Sequence, residues 1–165
     1  MSAGTLDMPS ADSGTAEAPR REFLTFRLGD EDYGVDILQV QEIRGVEAVT
    51  RVPRVAPFVR GVINLRGAIV PIVDLGLMFG FPEALAFDKA SAIILDVKRR
   101  QVGLLVASVS DVASYAESEI LPTPELGDRA VARALTGIGV HPGESKSVLL
   151  LDVPHILRRI REERE

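Results

Sequence analysis

The sequence has no cysteine and no tryptophan among its 165 residues, and aromatic side chains make up only 5% of it. Without cysteine there are no disulfides and no thiolate zinc sites, which suits a reducing cytoplasm. With so few aromatics the core must be built from Val, Ile and Leu, and the apolar share of 46% supplies them. A basic surplus is missing too. The formal net charge is −5, the wrong sign for a phosphate-binding face, which argues against nucleic acid as a partner. No apolar run approaches the roughly 20 residues of a membrane span, so no direct membrane insertion is expected. The first residues lack the basic start and apolar stretch of a signal peptide.

Catalytic chemistry is also absent. His141 and His155 sit in no paired-ligand spacing, and each reads as a surface residue. There is no G-x-S-x-G elbow and no phosphate loop ending in Gly-Lys-Ser or Gly-Lys-Thr. Gly137-Ile138-Gly139 lacks the third glycine of a dinucleotide fingerprint, and Pro142 stands in its place. The acidic turn Gly29-Asp30-Glu31-Asp32 continues into Tyr33-Gly34-Val35 without the later ligands of a calcium loop. No enzyme, cofactor or metal is therefore expected.

What is present is β-strand pattern. Residues 1–20 are rich in Ser, Ala, Gly, Thr and Pro and read as a disordered tail. The ordered domain is expected over 21–163. Glu22–Leu28 reads as a strand. Val59–Asp74, V-R-G-V-I-N-L-R-G-A-I-V-P-I-V-D, reads as strands Gly61–Leu65 and Ala68–Val73 about a tight Arg66-Gly67 turn, where Gly67 can take positive φ. Pro71 cannot donate to a ladder, which predicts a sheet edge or a bulge beside it. Phe58–Arg60 reads as a helical turn, Leu75–Phe79 as a short helix ended by Gly80, and Asp128–Leu135 as another. Thr136–His141 and Ser147–Leu151 read as a hairpin, and Pro154–Glu163 as a C-terminal helix.

The chain also resembles itself. At an offset of 69 residues (103 − 34), Gly34 meets Gly103, Phe26 meets Leu95, Val40 meets Val109, Ile43 meets Val112 and Pro53 meets Pro122. With a slipped register, Gly61 then meets Gly137 and Asp74 meets Asp152, each aspartate reading as a helix cap. A small β module present twice is expected, over about 22–80 and 90–157. One such module buries too little surface to stand alone, so the two should share a core and could exchange segments.

A few polar residues have no structural reason. Arg66 is a long cation at the tip of an apolar hairpin. Glu42 lies between Val40 and Ile43, and Asn64 precedes the Arg66 turn. Solvated surface charge is one reading of them. The sharper one is that Arg66 and Glu42 meet across neighbouring strands and set a polar centre in an apolar groove.

The runs Y-G-V-D-I-L-Q-V-Q-E-I, N-L-R-G and V-G-L-L-V-A-S-V-S-D-V resemble the CheW family of chemotaxis coupling proteins, over about Glu22 to Ile160. The resemblance implies a mostly β fold of two intertwined five-stranded SH3-like barrels with short helices. It implies a non-enzymatic cytoplasmic adaptor at receptor arrays on the inner membrane. Such an adaptor joins the tips of methyl-accepting chemotaxis receptors to the regulatory domain of a CheA-type histidine kinase. By position it carries receptor coupling to Val40, Glu42 and Arg66, with Asn64 and Gly67 as turn neighbours. It assigns no kinase-binding residues. The same adaptor in a non-flagellar pathway, for pili or biofilm, is an alternative, and a small-ligand-binding β-barrel a more distant one. Gly76 departs from the family, where an arginine is frequent.

Overall fold

The computed structural model describes residues 19–124 and 129–162. The chain runs β1 (Arg20–Leu28), β2 (Glu31–Asp36), β3 (Val40–Arg44), β4 (Val59–Leu65), β5 (Ala68–Asp74), α1 (Leu75–Met78), β6 (Ser91–Val97), β7 (Arg100–Val106), β8 (Ser108–Ala116), β9 (Ile120–Leu121), α2 (Arg129–Arg133), β10 (Leu135–Val140), β11 (Ser147–Leu151) and α3 (Val153–Glu162). The tail read from sequence falls outside the described residues up to position 18, as do the start of the 128–135 helix and the end of the C-terminal one.

The strands form two sheets, ordered β8-β1-β2-β11-β10-β9 and β3-β6-β7-β5-β4. Matching elements stand in matching places. β1 and β2 in the first sheet correspond to β6 and β7 in the second, and β11-β10 to β5-β4. Each sheet thus takes one antiparallel hairpin from one half of the chain and its remaining strands from the other. Among the described residues the joints are the only parallel pairings, β2 with β11 at Gly34↔Leu150 and β7 with β5 at Gly103↔Ile72. The mostly β fold of two sheets is the one expected.

Central strands are buried on both faces, so their sequences read as continuous apolar runs. Ile93, Leu95, Val102 and Leu104 face one way, into a large core shared with Leu24, Phe26, Leu28 and Val35 of the other sheet. Ile94, Leu105, Ile72 and Val70 face the other way, into an interior private to the second sheet. Phe23, Tyr115 and Leu150 fill the corresponding interior of the first. Two small barrels therefore lie against one common core. The short helices plug that core. Leu75 and Met78 of α1 and Val153, Ile156 and Leu157 of α3 are buried in it.

Both helices begin in the same way. The Asp74 amide donates to the Phe58 carbonyl at 2.7 Å, and the Asp152 amide to the Ala134 carbonyl at 2.7 Å. The Asp74 carboxylate accepts from the Leu77 amide at 3.1 Å, and that of Asp152 from the His155 amide at 3.1 Å. Both aspartates are caps, as their spacing suggests.

Two local readings are corrected, and a third is narrowed. Phe58 lies in a turn and Val59–Leu65 is already strand, because the Asp74 amide draws the Phe58 carbonyl into the sheet. Pro71 has the bulge of the two expected alternatives rather than the edge: β5 lies between β7 and β4, and the β4 register shifts between Val59 and Gly61, opposite Val73 and Ile72. Its β7 partners begin only at Ile72, so the ladder on that side starts just after the proline. His141 is not a free surface residue. It follows β10, its ring stacks on Tyr115 with centroids 4.5 Å apart, and its Nε2 lies 2.7 Å from the Ser114 carbonyl oxygen.

Candidate functional site at the seam of the second barrel

The outer strands of the second sheet are β3 and β4. They are not paired within the sheet, and curling brings them together. The connection after β3 crosses to β4, where Thr50 and Val62 exchange backbone hydrogen bonds at 2.9 and 2.8 Å. Gly61 permits this crossing. Its φ is 145°, and a Cβ there would sit 2.5 Å from the Thr50 carbonyl oxygen.

Four of the five site residues read from sequence lie along this seam. The Arg66 guanidinium bonds the Glu42 carboxylate, joining the β4–β5 tip to β3. The other Glu42 oxygen lies 3.5 Å from Arg44. The two therefore meet as expected, but across the closing seam rather than between adjacent strands. Asn64 is the turn residue it looks like, its Oδ1 accepting from the Gly67 amide at 2.9 Å. Arg66 and Gly67 have φ of 53° and 89°, the double positive φ of a type I′ hairpin turn. An arginine is a costly choice for the first of these positions, where Asn, Asp or Gly is usual. Its guanidinium side chain remains 66% exposed while tied to Glu42.

Val40 stands apart. A bulge separates it from Glu42: Val40 pairs with Leu95 and Glu42 with Ile94. The extra residue turns successive side chains to opposite faces. Val40 packs against the common core with Leu95, while Glu42 pairs with Arg66 and Arg44. The alternation of V-Q-E-I would have put both on one face, and no sequence signal marks the bulge. A groove lined by Arg44, Val46, Thr50, Val62 and Asn64 runs alongside the seam.

Among the described residues no cluster of three or more His, Asp or Glu is placed to hold a metal ion, and no helix is long and apolar enough to cross a membrane. The site holds a fixed cation, a half-buried carboxylate and a groove. A charged anchor beside a groove is the chemistry of recognition by charge and shape.

The family described as the CheW-like domain matches residues 22–161. The chain belongs to the CheW family. It is 43% identical to the chemotaxis protein CheW of Klebsiella aerogenes over 142 residues, covering 86% of this chain and 84% of that one. It is 38% identical to the CheW of Rhizobium meliloti over 148 residues, covering 88% and 91%. Among solved structures it resembles the scaffolding protein TtCheW of Thermoanaerobacter tengcongensis, with a TM-score of 0.72 and 29% identity, over 81% of this chain and 90% of that one. This is a family of non-enzymatic chemotaxis scaffolds, and the paired barrels are its fold.

At Gly76 an added Cβ would meet the Phe81 ring at 3.2 Å and the Asp74 carboxylate at 3.4 Å. Here Phe81 occupies the space, and the cation beside the buried Asp74 comes from Arg60 at 3.3 Å.

Proposed function

We propose that this protein is a cytoplasmic adaptor coupling the tips of chemotaxis receptors to the regulatory domain of a CheA-type histidine kinase. The receptor side is the seam of the second barrel, with Arg66 and Glu42 at its centre, Asn64 and Gly67 shaping the turn, and Val40 setting the start of β3 against the core. A separate surface takes the kinase by barrel-to-barrel contact. The observation that carries this reading is the exposed Arg66 guanidinium, held by Glu42 on a left-handed turn that folding alone does not require. Such an anchor is ordered before binding, which lowers the entropy lost on docking.

Holding both partners shifts the kinase between active and inactive populations to the extent that the receptor–adaptor unit binds those states unequally. No bond is made or broken, and no cofactor takes part. The test is affinity capture from extract of the source cells with the tagged full chain. A histidine kinase and a coiled-coil receptor retained together are the expected result. Recovery of neither would overturn the proposal.

A further inference from the structure

We infer that the receptor face includes a second, cationic element, the β6–β7 hairpin tip Lys98-Arg99-Arg100, which takes an acidic stretch of the coiled-coil receptor tip. This rests on the receptor reading proposed above and names the chemistry of the surface that the seam would meet.

Three observations carry it. First, the tip lies at the same end of the barrel as the seam. β3 runs antiparallel to β6 with Val40 opposite Leu95, and the side chains of Gln41 and Gln101 are hydrogen-bonded. β5 and β7 run parallel, pairing at Ile72↔Gly103, so their beginnings, Ala68 and Arg100, lie at one end. That end carries the Arg66 turn, and Ile69 beside it is 64% exposed.

Second, turn chemistry does not account for these residues. Lys98 and Arg99 have φ of 52° and 68°. This is again the type I′ pattern, for which Asn-Gly is the low-cost pair. The turn is held by its neighbour, the Arg99 amide donating to the Asp96 carboxylate at 3.0 Å. All three cations are exposed and none has an ion-pair partner among the described residues.

Third, the matching tip of the other barrel has the opposite charge. Gly29, Asp30 and Glu31 stand where Lys98, Arg99 and Arg100 stand in the repeat, and they too are exposed. On a chain of net charge −5, three unpaired cations beside the seam give one barrel end a local positive field. An acidic partner is steered toward that end and repelled from its counterpart.

The test is the rate of association with soluble cytoplasmic fragments of the source cell's chemoreceptors, measured across a salt series. Two variants of the full chain are compared. The charge reversal K98E/R99E/R100E is expected to slow association at least about tenfold at low salt and to flatten the salt dependence, since electrostatic steering is worth about 10- to 1,000-fold in on-rate. K98N/R99G removes two charges while improving the turn. It is expected to slow association about threefold while raising the unfolding midpoint, which separates charge from folding. Rates within twofold of the parent for both variants would overturn the inference. If Arg66→Glu abolishes binding while both tip variants bind normally, this inference fails and the proposed function stands. If the parent chain binds no receptor fragment, both fail.

Discussion

The β1–β2 and β6–β7 hairpins occupy matching places in the two barrels, yet one tip reads Gly-Asp-Glu and the other Lys-Arg-Arg. The same divergence appears at the two caps. Asp152 accepts from one amide and is partly exposed. Asp74 is fully buried and accepts from the Leu77 and Leu85 amides and from Arg60, which itself donates to the Leu85 carbonyl at 2.8 Å and stacks on Phe87 at 4.4 Å. At the seams, the second barrel closes with the Arg66–Glu42 ion pair. At the matching edge of the first, Tyr115 stacks on His141 above Gly139, where a Cβ would sit 2.6 Å from the Tyr115 ring. Duplication thus preserves what the common core requires, which is strand order, caps and the glycines at the parallel joints. The outward-facing groups are free to differ, and function is expected where they do.

The comparison breaks first at the caps. Asp74→Ala leaves Arg60 half buried without its carboxylate and two amides without their acceptor. It is expected to cost about 3–5 kcal/mol in denaturant unfolding. Asp152→Ala is expected to cost only about 1 kcal/mol, the loss of one cap. Equal losses would show that the two barrels depend on their caps alike.

The joint glycines come next. An alanine Cβ at Gly103 would lie 2.6 Å from Ile72 Cδ1 and 3.1 Å from Ile94 Cδ1, both fully buried. At Gly34 the nearest atoms, from Leu150, Phe23 and Val148, are all at 3.2 Å. Gly103→Ala is expected to cost about 2–3 kcal/mol and Gly34→Ala about 1 kcal/mol, as overpacked cores do. The reverse order would mean that the first barrel, with its aromatic interior, is the tighter of the two.

The smallest effect is electrostatic. The Glu119 carboxyl is held below its ordinary value chiefly by the Ala116 amide it accepts from, and also by Arg20 beside it. A depressed carboxyl stabilises the fold above its unfolded-state value, and that contribution disappears as pH falls through the folded-state value. Glu119→Gln is therefore expected to remove a shallow acid-side decline in the unfolding midpoint and to lower neutral-pH stability by no more than the height of that decline. An unaltered acid limb would place the decline elsewhere.

Much of this was legible in the sequence, for identifiable reasons. The repeated glycines at 34 and 103 align the two halves, and both lie at the parallel joints, where an added Cβ would be crowded. Arg66 announces itself because nothing apolar around it needs a guanidinium. Three things were hidden. The bulge that turns Glu42 away from Val40 leaves no mark in V-Q-E-I. Asp74 and Asp152 look alike as caps because burial depth depends on Arg60 and Leu85, which lie elsewhere in the chain. Lys98-Arg99-Arg100 passes for an ordinary polar turn until the 69-residue offset (103 − 34) sets it against Gly29-Asp30-Glu31.

The most direct measurement is the affinity of well-folded Arg66→Glu protein for a receptor cytoplasmic fragment and, separately, for the kinase regulatory domain. Arg66 is largely exposed, so the fold should lose no more than about 1 kcal/mol. Receptor affinity should fall at least about tenfold, ~1.4 kcal/mol, with kinase affinity unchanged. Receptor binding at the parental affinity would contradict an adaptor whose receptor side is centred on this guanidinium.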